Sequence, residues 1–382
     1  MTQLSFYEFF AGGGMVRAGL GSAWACAFAN DISPAKARAY RANFSSDQLW
    51  VGDVHEVTAA QLPGRADLAW GSFPCQDLSL AGAKAGLSAR RSGAFWGFMG
   101  AIRALRDEGR APRLLALENV CGALTSRGGR DFVAICKALS EAGYRFGAMV
   151  VDAALFVPQS RPRLFIVAVD QSMEIPPSLL ARGPQPDWSP RALLAAHEML
   201  DGPARDDVLW WSLAAPRANV PPLEAVIERE PADVAWRKEA ETARLISLMA
   251  PLHRARLEAF AATGRRHVGA VYRRIRPDGQ GGKVQRAEVR FDGLAGCLRT
   301  PAGGSSRQEI VEVEGGRIRS RLLSGREAAR LMGLDDAYEL PVRYNEAYRL
   351  AGDGVAVPVV RFLAKELFEP LLRGAAAARL AG

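Results

Sequence analysis

Apolar positions in the first 170 residues fall into short dense runs separated by stretches of helical periodicity. Leu4–Phe10, Trp24–Ala29, Asp67–Ser72, Leu114–Leu117, Phe146–Val151 and Leu164–Val169 predict strands buried on both faces. A further strand is expected to end at Gly52-Asp53-Val54. Ser33–Asn43, Gly93–Glu108 and Arg130–Ala142 have helical length and spacing, and Gly143 is placed to stop the last of them. This alternation predicts an α/β fold with a doubly wound, mostly parallel sheet. Near residue 173 the pattern breaks at Pro176, Pro177, Pro184, Pro186 and Pro190. From there to about residue 320 the chain predicts a smaller, irregular domain with helical segments at Ser189–Met199 and Trp236–Thr263. A helix over Gly325–Met332 and a strand-like, then helical, tail over Gly354–Phe368 follow. The expected division is 1–172, 173–322 and 323–382.

Composition narrows the class. A chain of 382 residues can bury a large core and form two domains. Its 49% hydrophobic and 24% charged residues are those of a soluble globular protein. No apolar run reaches membrane-spanning length, and Met1-Thr2-Gln3-Leu4-Ser5 does not begin a secretory signal. The five cysteines are scattered, which suits a reducing compartment, so a cytoplasmic protein without membrane partners is expected. Four separated histidines predict no metal site. The net charge of +8 suits a polyanionic partner without requiring one. Arg266, Arg273, Arg274, Arg276, Lys283 and Arg286 form a basic run interrupted by Gly279, Gly281 and Gly282. Such a run is either a solvated face or a ribbon that follows a phosphate backbone.

Candidate chemistry gathers at the ends of the predicted strands, where open α/β sheets bind their ligands. Phe10-Ala11-Gly12-Gly13-Gly14 follows the first strand, so its backbone can approach a ligand closely. Its spacing lacks the third glycine of a nicotinamide fingerprint. Asp31 ends the next strand and is placed to accept ribose hydroxyls; Asp53 is either a second cofactor carboxylate or an N-cap. Phe73-Pro74-Cys75-Gln76 puts a thiol just past a buried strand, either as a structural cysteine or as a nucleophile. Glu118-Asn119-Val120 puts a half-buried carboxyl at another strand tip, suited either to cap a turn or to protonate a ring nitrogen. In Gln159-Ser160-Arg161-Pro162-Arg163, the two arginines are expected to share one face of an extended segment.

These segments, in this order, resemble a DNA cytosine-5 methyltransferase of the bacterial modification type. Leu298-Arg299-Thr300-Pro301, with Gly303, Gly304 and Arg307, resembles the family's segment that organises target recognition. Gly352-Asp353-Gly354-Val355-Ala356-Val357-Pro358 resembles its last motif, which returns to the catalytic domain. Two departures stand out. Asp353 replaces the usual Asn, and Arg90-Arg91-Ser92-Gly93-Ala94-Phe95 lacks the usual acidic residue.

The resemblance implies a methyltransferase fold that uses S-adenosylmethionine, with Cys75 attacking carbon 6 of cytosine and Glu118 acting at ring nitrogen 3. Arg163 would hold the base carbonyl, Arg161 the thiolate or a nearby phosphate, and Asn119 the loop. Phe10, Ala11, Gly12, Gly14, Asp31, Ile32, Asp53, Val54, Pro74, Phe95, Asp353 and Val355 would surround the cofactor. The target would be flipped out of duplex DNA, with the basic loop Ser79–Gly97 closing on it. Gln76, Ser79, Arg91, Arg273, Arg274, Arg276 and Arg299 would contact the DNA. The implied protein is a monomer of the bacterial cytosol, paired in function with a cognate restriction endonuclease that is not a stable subunit. Its rivals are a transfer RNA methyltransferase on the same fold, an idle DNA-binding relative and a nicotinamide oxidoreductase, the last disfavoured by the glycine spacing.

Overall fold

A strand with neighbours on both edges and layers on both faces must be apolar throughout, and β1, Leu4–Phe9, nearly is: Phe6, Tyr7 and Phe9 are fully buried. The exception is Glu8, equally buried. The computed structural model describes residues 3–45, 47–74, 93–216, 219–277, 282–299 and 307–374. The chain divides into two units. The first comprises Met1–Asp152, Pro162–Pro216 and Val355–Gly382; the second comprises Ala153–Arg161 and Arg217–Gly354.

In the first unit β1 is followed by β2 (Trp24–Asp31), β3 (Leu49–Val51), β4 (Leu68–Gly71), β5 (Leu114–Val120), β6 (Tyr144–Asp152) and β7 (Pro162–Asp170). Among the described residues these seven strands form one sheet in the order β3-β2-β1-β4-β5-β7-β6. β1 pairs in parallel with both β2 and β4, and β7 runs antiparallel between β5 and β6. The chain thus winds outward from β1 to β3, then returns to β4 on the other side, which makes the carboxyl ends of β1 and β4 the switch point of the sheet. The helices α1 (Met15–Leu20), α2 (Pro34–Asn43), α3 (Ala94–Asp107), α4 (Arg130–Glu141) and α5 (Arg191–Glu198) belong to this unit. Ser33 caps α2 through the amide of Lys36, and Pro34 occupies a first-turn position that needs no donor. Phe9 meets Phe98 of α3 edge to face at 5.0 Å, within a core that also holds Phe28, Ile102, Leu115 and Phe132. The helix Val357–Leu363 lies on α1 so closely that a Cβ on Gly19 would fall 2.5 Å from Val360.

The second unit is not irregular. Its strands β8 (His267–Pro277), β9 (Lys283–Arg290), β10 (Glu309–Glu314) and β11 (Arg317–Leu322) form an antiparallel sheet in the order β11-β10-β8-β9. The helical segment expected at Trp236–Thr263 splits into Glu239–Ser247 and Pro251–Ala262, because Pro251 starts a helix but cannot continue one. Leu245, Met249 and Leu257 pack against Val271, Val289, Val311 and Val313 of the sheet. The division also departs from the expected boundaries. Residues 173–216 stay with the first unit and 323–354 with the second, since the Trp188 carbonyl accepts from the Val150 amide, Trp211 donates to the Gly147 carbonyl, and Arg321 is buried against Glu327.

Candidate active site

The end of β1 turns through Phe10 and Gly12, at φ of 60° and 57°, before Gly14 at φ 79° starts α1. Gly14 is held to glycine twice over: by its φ, and by Phe44, 2.5 Å from where a Cβ would stand. Gly12 has open space there, which leaves its backbone accessible. Asp31 binds this loop. One carboxylate oxygen accepts from the Gly12 amide at 2.9 Å and the other from Ser33 at 2.7 Å, and each retains a lone pair. Ala11 is buried and donates its amide to the Asn30 carbonyl at 2.8 Å. Ile32, beside Asp31, is 67% exposed, an apolar side chain without a covering. Asp53 accepts from the His55 amide at 3.1 Å and caps the turn Val54–Glu56, the local role that the sequence left open. Val54 and Phe95 are buried, Phe95 against Phe73 with ring centroids 5.1 Å apart.

Asn30, to which the sequence assigns no role, donates its side-chain amide to the Gly52 carbonyl at 2.9 Å and ties the end of β2 to that of β3. Glu8 also went unnamed, although a lone acid in an apolar strand was a usable signal. Both its carboxyl oxygens are buried and unpartnered among the described residues. Burial pushes its pKa up to about 8, opposed by Arg17 and by the amides of Val16 and Arg17, which approach without closing a hydrogen bond. Behind the loop, Arg17 donates to the Tyr40 hydroxyl at 3.1 Å, and burial pushes the Cys26 thiol up to about 11.

At the end of β5, Glu118 and Arg163 meet at 3.2 Å, with little of either side chain exposed. The antiparallel register explains the meeting. Val120 stands opposite Arg163 and Glu118 opposite Phe165, so the four share a face and Arg163 reaches back to Glu118. Asn119 points the other way and donates to the Phe73 carbonyl at 3.1 Å, fixing the segment that runs through exposed Pro74. Cys75, Gln76, Ser79 and Arg91 lie outside the described residues, as does most of the loop expected to close on a substrate.

Arg161 does not share the surroundings of Arg163. It belongs to the second unit, 2% exposed, and donates to the carbonyls of Leu298, Gly352 and Gly354 at 3.0, 3.0 and 2.7 Å. Pro162 opens β7, and the extended stretch on which the arginines were to alternate does not reach Arg161. Gln159, fully buried, accepts from the Leu298 amide at 3.0 Å and donates to the Leu331 carbonyl at 2.7 Å. Exposed Asp353 ends the helix Tyr344–Asp353, whereas Val355 is buried in the first unit. On the basic run, Arg273 pairs with buried Glu309 at 2.8 Å, and Arg274 and Arg276 both pair with Glu288. Arg299 is exposed. Among the described residues no cluster of His, Cys, Asp or Glu could hold a metal, and no helix is long and apolar enough to cross a membrane.

The sequence pattern of the C-5 cytosine-specific DNA methylases matches residues 4–369. The type II methyltransferase M.BsuFI of Bacillus subtilis is 25% identical over 97% of the chain and 74% of its own length. M.HpaII of Haemophilus parainfluenzae is 26% identical over 97% and 90%. Among solved structures, the S. pombe Dnmt2 methyltransferase superposes with a TM-score of 0.58 at 18% identity, covering 96% of this chain and 99% of that one.

Proposed function

Because the chain belongs to the C-5 cytosine-specific DNA methylase family and is a DNA cytosine-5 methyltransferase, we propose that it methylates a cytosine flipped out of a specific duplex site, through a covalent bond to Cys75. The observation that carries this reading is the pairing of Glu118 with Arg163 at the end of β5, beside the Asn119 bond that anchors Phe73, two residues before Cys75.

The residues of the first unit suit S-adenosylmethionine. Exposed Ile32 offers an apolar face for adenine, Asp31 keeps lone pairs for ribose hydroxyls, and Gly12 leaves room for close approach. Asp53 would take the adenine amino group, with Phe10 and Phe95 flanking the adenosine. No lysine or arginine from the Phe10–Gly14 loop competes for a phosphate. When bound, this cofactor supplies an electrophilic methyl group on a sulfonium.

Carbon 5 of cytosine is a poor nucleophile in an aromatic ring, and covalent catalysis removes the aromaticity. The Cys75 sulfur bonds to carbon 6, and the electron pair of the 5,6 double bond moves into the ring. Glu118 protonates or hydrogen-bonds nitrogen 3, drawing off the negative charge that develops, and Arg163 holds the base carbonyl while orienting Glu118. Carbon 5 then acquires the methyl group. A water removes the carbon 5 proton, the 5,6 double bond re-forms as the thiolate leaves, and nitrogen 3 returns its proton to Glu118. The buried position of Glu118 and Arg163 supports a target taken out of the duplex, because a stacked base cannot enter such a site. The substrate is duplex DNA, the setting the bacterial cytosol, and the protein a monomer.

Duplex DNA bearing 5-fluorocytosine tests the mechanism, since fluorine at carbon 5 blocks the final elimination. We expect a stable adduct on Cys75 by mass spectrometry, none with Cys75→Ser, and incorporation of tritiated methyl groups into duplex DNA. An adduct on Cys121, or labelling of transfer RNA in place of duplex DNA, would overturn the reading.

A further inference from the structure

The β8–β9 ribbon carries most of the basic run, and its register sorts the arginines by face. Arg274 stands opposite Arg286, Arg276 opposite Val284 and Tyr272 opposite Glu288, so these six residues share one face. Arg273 and Ile275 point the other way, where Glu309 holds both Arg273 and Arg237. Arg273 is therefore committed to its own unit. Among these six, one carboxylate stands with three guanidiniums. Glu288 pairs with Arg274 at 3.3 Å and with Arg276, while Arg286 is exposed across from Arg274. The guanidinium of Arg274 also lies 5.5 Å from the centre of the Tyr272 ring.

Resting on the duplex DNA reading above, we infer that Glu288 is a specificity-determining residue that stands in for a phosphate, holding Arg274 and Arg276 until the DNA backbone displaces it. Two physical facts support this. First, the arginine side chains are 51% and 47% exposed, and ion pairs this exposed hold their partners only weakly. A phosphate can therefore take both guanidiniums at small cost. Second, like charges directly opposite on a ribbon repel, and Glu288 relieves Arg274 and Arg286 of that repulsion in the free protein. The carboxylate thus keeps the ribbon extended and positioned, yet opposes any phosphate that arrives without the base contacts of a correct site. Non-specific binding is nearly all electrostatic, so it bears this opposition in full.

The test is Glu288→Gln in the full chain, titrated against cognate and scrambled duplexes at several salt concentrations, alone and in the Arg274→Gln/Arg276→Gln background. We expect scrambled duplex to bind several-fold tighter, the log–log salt slope to steepen by about one unit, and the cognate-to-scrambled ratio to fall. Most of this change should vanish when Arg274 and Arg276 are already absent. Unchanged or weaker binding by Glu288→Gln would mean that the pairs only hold the ribbon together, and would overturn the inference. So would an effect of equal size in both backgrounds, which would make Glu288 a distant charge and nothing more. If the wild-type chain binds transfer RNA and not duplex DNA, the duplex reading fails separately. The same criteria then decide the role of Glu288 on the RNA titration.

Discussion

At the scale of single residues, two carboxyl groups of the first unit lead to opposite expectations. Glu118 has a partner, Arg163 at 3.2 Å, and a proposed proton to deliver. Glu118→Gln preserves shape and a hydrogen bond but not the proton, so turnover at saturating DNA should fall by about 10²–10⁴-fold. A near-native rate would remove Glu118 from the mechanism. Glu8 has no partner among the described residues and titrates near 8 in the folded chain, against about 4.3 for an unfolded Glu. Between these values the folded state holds a proton that the unfolded state has lost. The contribution of Glu8 therefore declines as pH rises from about 4 to 8, by at most about 1.4 kcal/mol per pH unit, and is constant above that. Glu8→Gln removes this dependence. Denaturant titrations at pH 5, 6.5 and 8 should show the variant gaining on the native chain as pH rises, and parallel curves would mean that Glu8 does not titrate in this range.

At the scale of elements, the glycine loop is the most constrained segment of the proposed cofactor site. Gly12 and Gly14 both have positive φ, but only Gly14 also faces a ring, Phe44 at 2.5 Å from a would-be Cβ. Gly12→Ala should cost about 1 kcal/mol for the left-handed backbone alone. Gly14→Ala adds overpacking, for a total of about 2–4 kcal/mol. Thermal melts should rank the two, and Phe44→Leu should recover part of the Gly14→Ala loss and none of the Gly12→Ala loss. Equal losses would mean that Phe44 yields freely. The strands and helices of the first unit were legible because their periodicity is clean. The second unit's sheet was not: β10 carries Ile310 and Val311 side by side and is buried along nearly its whole length, so it shows no clean alternation. Glu312 is buried between Arg266 and Arg319, so ionic pairs fill part of the interior where a pattern reading expects apolar side chains.

At the scale of the whole molecule, Arg161 gathers segments far apart in the chain. Its guanidinium binds the carbonyls of Leu298, Gly352 and Gly354, all within the second unit. Arg161→Met fills similar space but leaves these carbonyls unpaired, at about 1 kcal/mol or more each. We expect the second unit to lose about 3 kcal/mol or more, read as an earlier transition in denaturant and faster proteolysis within 217–354. Loss of activity with an unchanged unfolding transition would place Arg161 in the chemistry and not in the scaffold.

The sequence by itself determined the family, the parallel sheet and the placement of Gly12, Asp31, Asp53 and Glu118 at strand ends. Local periodicity and ordered motifs encode these, because apolar runs bury and glycines turn wherever the rest of the chain lies. Only the tertiary structure decided which charges meet. Nothing local in Arg161-Pro162-Arg163 tells that one guanidinium is bound by three distant carbonyls and the other by a carboxylate two strand positions from its opposite number. The same holds for Arg273, Arg274 and Arg276, within four positions of one another yet divided between Glu309 and Glu288 by the alternation of a strand. Pairing across strands depends on register, and register is set by the packing of the whole sheet.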